Sequence, residues 1–238
     1  MLRILTTAFA ATLLFAGAAS AAVFNGTFNV NAINVTNVNS SQSQATTSNW
    51  DAFIGGGAGI TTDSFTYTGD LNFSTKNGNS TTIGQWLASG TNGGGSGTVG
   101  GLDPAFGALT NSSCCIGNGS ATTTFYLFSF LGSLVPSDFT IGHDDGISVL
   151  LAAAPDLNDL SGTSSVIGGS VGPNSFKTTQ VDGYGGGTNN LHFLYVSTNN
   201  DPSILNVDVT PVPLPAALPL LIGGLGLLGF AARRKRAA

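Results

Sequence analysis

Glutamate is absent from this 238-residue chain: all 12 acidic residues are aspartate. Of the 7 basic residues, Arg3, Arg233, Arg234, Lys235 and Arg236 lie near the two ends. Between positions 23 and 210 only Lys76 and Lys177 face the twelve aspartates, a net charge of −10. Such a surface repels nucleic acid and anionic lipid and attracts cations. Without Glu, and almost without Lys and Arg, the central region lacks the residues that build solvent-facing helices. The only histidines are His143 and His192, and the only cysteines, Cys114 and Cys115, are neighbours. No zinc-type spacing can be drawn from that set. The adjacent cysteines suit either a strained vicinal disulfide or a crosslink to a second chain.

Glycine is abundant, with 34 residues, and Asn, Ser and Thr fill much of the remainder. These are turn and strand formers. Phe65, Tyr67, Leu71 and Phe73 alternate with polar residues, as a half-buried strand requires. Phe24, Phe28 and Val30 share one parity, whereas Ile33 and Val35 take the other, which predicts a bulge at Ala32. "TTTFYLFSFL" is apolar on both parities and predicts a central strand buried on two faces. Further short strands are predicted at "FTI", "ISVLL", "NSFKTTQV", "LHFLYVS" and "ILNVDV". The fold class is therefore all-β, a single antiparallel sandwich over 23–210. Within it, 75–121 reads as long loops, with one or two helical turns at "TTIGQWLAS" and "DPAFGAL".

Several motifs mimic chemistry. Gly95–Gly100 satisfies GxGxxG but sits in a glycine-rich loop without the strand and helix that nucleotide binding needs. Gly168–Gly172 satisfies GxSxG around Ser170, with Asp182 and His192 following in hydrolase order, yet no downstream helix can form the nucleophile elbow. No aspartate spacing singles out a glycosidase pair. The chain reads as a non-enzyme, with a secreted hydrolase as the least favoured alternative. Trp50 and Trp86 are either sugar-stacking platforms or core residues, with core favoured.

Asp144-Asp145-Gly146 stands between two predicted strands. Adjacent carboxylates repel unless a cation or donated backbone N–H groups neutralise them. Gly146 would allow a positive φ at the corner. Strand, Asp-Asp-Gly, strand resembles the signature of the protective-antigen-type (PA-fourteen) β-sandwich. "TTTFYLFSFLG" is similar to that fold's strand leading into the motif, and "LHFLYVSTNNDPSILNVDV" resembles its closing hairpin. The resemblance spans about 122–209. It implies calcium at Asp144 and Asp145, and sugar hydroxyls held by that calcium. The sequence departs from the family pattern at "LLAAAPDLND", where an Asp-Gly or Asn-Gly turn is usual.

Both ends carry apolar runs. Residues 1–22 have Arg3, an apolar stretch and Ala19-Ser20-Ala21, the layout of a signal peptide cleaved after Ala21 or Ala22. Positions 216–232 hold 17 uncharged residues, about 25 Å as a helix, followed by the stop-transfer cluster Arg233, Arg234, Lys235 and Arg236 in a cytoplasmic tail, 233–238. A proline-rich stem, 211–215, precedes the span. Val212, Pro213, Leu214, Pro215 and Ala216, then the apolar run, then the basic cluster, closely resemble the VPLPA variant of the PEP-CTERM sorting signal. That resemblance implies a Gram-negative host, transient anchoring in the inner membrane, cleavage by an exosortase-type protease, and delivery to the cell surface or exopolysaccharide matrix. The expected role is structural or adhesive in a biofilm or floc, with a calcium-dependent lectin as the alternative.

Overall fold

Alternating apolar residues become strands in the computed structural model, which describes residues 20–75, 81–89, 97–113, 121–200 and 202–212. The signal peptide up to residue 19, Cys114 and Cys115, Pro213–Ala216, the apolar run 216–232 and the basic tail 233–238 lie outside the described residues. Among the described residues, no helix is long and apolar enough to cross a membrane.

Residues Ala21–Pro211 form one compact unit. In chain order its first half holds β1 (Ala22–Val23), β2 (Asn25–Thr36), α1 (Thr47–Ile54), β3 (Ile60–Asp70), β4 (Asn72–Ser74), α2 (Ile83–Ala88), β5 (Thr98–Gly100) and α3 (Pro104–Gly107). The second half holds β6 (Thr122–Phe130), β7 (Ser133–Leu134), β8 (Ser137–Asp144), β9 (Gly146–Leu151), α4 (Leu160–Thr163), β10 (Ser165–Ser170), β11 (Lys177–Tyr184), β12 (Gly187–Thr188), β13 (Leu191–Ser197) and β14 (Ile204–Pro211). Thus β1 takes in Ala22, and β14 runs one residue into the span assigned to the stem.

The strands make a large antiparallel sheet, β10-β9-β13-β6-β2-β3-β5, and a small one, β1-β14-β8-β11, with β4 also paired to β14. Between them lies a core rich in aromatic rings, including Phe24, Phe28, Phe128, Phe139 and Phe193. The two-face strand expected at "TTTFYLFSFL" is β6, at the centre of the large sheet. Tyr126 and Phe128 enter the core between the sheets, while Phe125 and Leu127 enter a second core on the outer side.

That second core corrects the expected bulge. The β2–β3 register runs unbroken through Ala32. Ile33 and Val35 face outward and are buried there with Trp50 and Phe53 of α1. The parity changes because α1 and Leu160 cover this end of the sheet, not because the strand slips. Thr46 caps α1, accepting a hydrogen bond from the Asn49 N–H at 3.2 Å. The predicted turns at "TTIGQWLAS" and "DPAFGAL" are α2 and α3, capped by Thr82 and Asp103. The expected closing hairpin does not form. β13 pairs with β6 and β9 in the large sheet, whereas β14 pairs with β8 in the small one. The intervening segment crosses the edge of the sandwich.

Candidate functional site

Two such crossings lie side by side. β8 belongs to the small sheet and β9 to the large one, so the chain changes sheets at Asp144-Asp145-Gly146. The return crossing follows β13, at Thr198, and Thr198 N–H donates to Asp145 Oδ2 at 2.7 Å. Asp144 and Asp145, the loop Pro173-Asn174-Ser175, and Thr198, Asn199, Asn200 and Pro202 enclose a cavity of about 280 Å³. Asn199 and Asn200 turn the return crossing with φ of 59° and 80°, a region that asparagine tolerates better than most residues. The Asp144–Asp145 peptide is cis.

The aspartate backbone is tied to the interior. His143 is fully buried, and its Nδ1–H donates to the Asp145 carbonyl at 2.5 Å while Nε2 accepts from the Thr179 hydroxyl at 2.7 Å. The buried Tyr195 hydroxyl donates to the Asp144 carbonyl. Trp86 stacks on the Tyr195 ring at 5.4 Å, and its Nε1–H donates to the Ser203 carbonyl at 3.0 Å. Gly146 is required, but for a different reason than expected. It is not among the positive-φ glycines; instead a methyl group there would run into the Val171 carbonyl.

The carboxyl groups pay an electrostatic penalty for this placement. Asp145 is 2% exposed, and burial pushes its carboxyl up to about 8, against the Thr198 N–H and aided by the neighbouring charge of Asp144. Burial also raises Asp144, opposed by the backbone N–H of Phe176. Among the described residues, no cationic side chain offsets the burial of either carboxylate. Burial lowers His143, keeping it neutral between its two partners.

Among the described residues, no three His, Cys, Asp or Glu side chains gather into a metal-binding group. A cation here would be completed by neutral oxygens, which Asn174, Ser175, Asn199 and Asn200 line the cavity to offer. That donor set fits a hard cation such as calcium and does not fit zinc. The sequence singled out the aspartates. It did not reveal the return crossing, which lies more than fifty residues away; the paired asparagines in "STNND" were the available turn signal.

Other motifs resolve differently. Ser170 ends β10 and pairs with Ile147, while the two ring nitrogens of His192 bond Ser129 Oγ and the Ala152 carbonyl, both at 2.8 Å. The hydrolase-like Ser170, Asp182 and His192 are not assembled into a relay. Trp50 and Trp86 are fully buried, so they are core residues. Of the GxGxxG stretch, Thr98–Gly100 is β5, and Gly95 and Ser96 lie outside the described residues.

No protein-family model matches the chain, and no curated protein matches it. Similar solved structures include a PA14 sugar-binding domain from an RTX adhesin, 12% identical with a TM-score of 0.44, aligned over 76% of this chain and 89% of that one. They also include the PA14 domain of the MpAFP antifreeze protein, 12% identical with a TM-score of 0.45, aligned over 81% of this chain and 90% of that one.

Proposed function

We propose that this chain is an exported surface protein that holds calcium at Asp144 and Asp145 and binds glycan hydroxyls through it. One observation supports this above the others: two adjacent carboxylates line one cavity, and among the described residues no cationic side chain offsets their burial. Calcium supplies the missing charge and accepts hydroxyl oxygens as further ligands. Asp144 and Asp145 contribute the carboxylates. Thr198 N–H holds one Asp145 oxygen in place, while His143 and Tyr195 fix the backbone on which both carboxylates stand. Binding is favoured over catalysis because the nucleophile candidate Ser170 has no histidine partner among the described residues.

The terminal segments give the context. A signal peptide cut after Ala21 keeps both pairs of β1 with β14, and one cut after Ala22 keeps Val23 with Asp208. The sorting motif Val212–Ala216, the apolar run and the cluster Arg233–Arg236 suit an exosortase-type protease in a Gram-negative inner membrane, followed by release to the surface. The role that follows is adhesion to, or structuring of, exopolysaccharide in a biofilm or floc.

The test is calorimetric. Calcium titrated into the full chain, purified in detergent, should bind at one site per chain, and Asp145→Asn should abolish that site. Equal heats from both chains would refute the assignment.

A further inference from the structure

Among the described residues, Phe176 is the only aromatic side chain among the exposed large hydrophobics, with 52% of its surface open. It follows the loop Pro173-Asn174-Ser175 that walls the aspartate cavity, and its backbone N–H offsets part of the burial of the Asp144 carboxyl. Its ring lies on the outer face of the small sheet above Gly142. A methyl group added there would come within 3.2 Å of two ring carbons and 3.7 Å of the Asn206 Cβ. In register with Gly142 stand Thr178 on one side and Asn206 on the other. The Asn206 Oδ1 is buried and accepts no hydrogen bond, alone in this among the described side chains.

An exposed aromatic face, a vacant amide acceptor and a hydroxyl form a surface for a neutral ligand with an apolar C–H face and hydroxyls at its edge. A pyranose ring has that chemistry. We propose that Phe176, seated on Gly142, and Asn206 form a second pyranose subsite on the outer face of the small sheet, adjoining the Asp144–Asp145 cavity. The Phe176 ring tilts off Gly142, stacks on the C–H face of the sugar, and uncovers Asn206 Oδ1 to accept a sugar hydroxyl. This subsite rests on the glycan reading above, because it takes the neighbouring residue of the same chain of sugars.

The test measures affinity against glycan length. Neutral gluco-, galacto-, manno- and xylo-configured pyranosides, with their oligomers of two to four units, are titrated into the full chain in calcium. The expected result is that one series gains about tenfold in affinity from monomer to dimer. Phe176→Ala and Asn206→Leu should each remove that gain while leaving monomer affinity and the heat of calcium binding unchanged. A gain that survives both substitutions, or no binding anywhere in the panel, overturns the subsite. A length-dependent gain lost in Phe176→Ala, in a chain that binds no calcium, would uphold the subsite and refute the cation reading.

Discussion

The cation-free protein should lose stability as pH rises, and Asp145 should be the cause. Burial raises its folded-state carboxyl from 3.8 to about 8. The unfolded chain releases that proton near 4, whereas the folded chain holds it until about 8, so between those values unfolding releases a proton. The contribution is complete below about pH 4 and is lost as pH climbs through 8. Four units correspond to roughly 6 kcal/mol at 1.4 kcal/mol per unit. Water entering the cavity screens the charge, and we expect about half of that, ~3 kcal/mol, between pH 5 and 9. The assay is urea unfolding of the full chain in EDTA across that range, beside Asp145→Asn. The buried His143 and His192 act the other way: burial lowers both, so their contribution holds above about 6.5 and declines as pH falls below it. Both chains share this effect, so the difference between their curves isolates Asp145. Calcium at one hundred times its dissociation constant should restore about 2.7 kcal/mol in the wild type and nothing in the variant. Parallel curves in EDTA would refute burial of this carboxyl as the source of the slope.

Two further substitutions probe what holds the site. Gly146→Ala forces a methyl group against the Val171 carbonyl and should cost about 1–3 kcal/mol of unfolding free energy in urea; an unchanged stability would show that the segment after β10 does not press on the Asp144-Asp145-Gly146 crossing. Trp86→Ala removes a fully buried ring stacked on Phe73, Tyr126 and Tyr195, and should cost about 3–5 kcal/mol and weaken calcium binding through Tyr195; full calcium affinity in the folded variant would refute that support.

The strands were legible where one face meets the core and the other meets water, as in β3, because alternation records that difference directly. The parity change at Ile33 and Val35 of β2 mimics a bulge because a distant segment, α1, covers the outer face there, and no periodicity within β2 reports on its cover. α1 itself hides in "TSNWDAFI", where Ser, Thr and Asn are weak helix formers and the burial of Trp50 and Phe53 supplies the support. Asp144 and Asp145 stood out because adjacent like charges demand compensation. Thr198 N–H, the His143 ring and the Tyr195 hydroxyl answer part of that demand, but they are brought there by the crossing of two sheets. The "LHFLYVSTNNDPSILNVDV" segment looks like a hairpin because hairpins and sandwich-edge crossings share the same pattern of strand, turn and strand.

The pairing of Ala22 with Val209 and Val23 with Asp208 sets how this domain meets a pulling force. The two strands are antiparallel, so the start of one and the finish of the other leave from the same corner. Traction between those points would unzip β1 from β14 one pair after another, with little resistance, rather than shear many bonds at once. A fold whose two ends leave in this way yields readily to tension drawn across them, and it would hold poorly as a link in a strained cable.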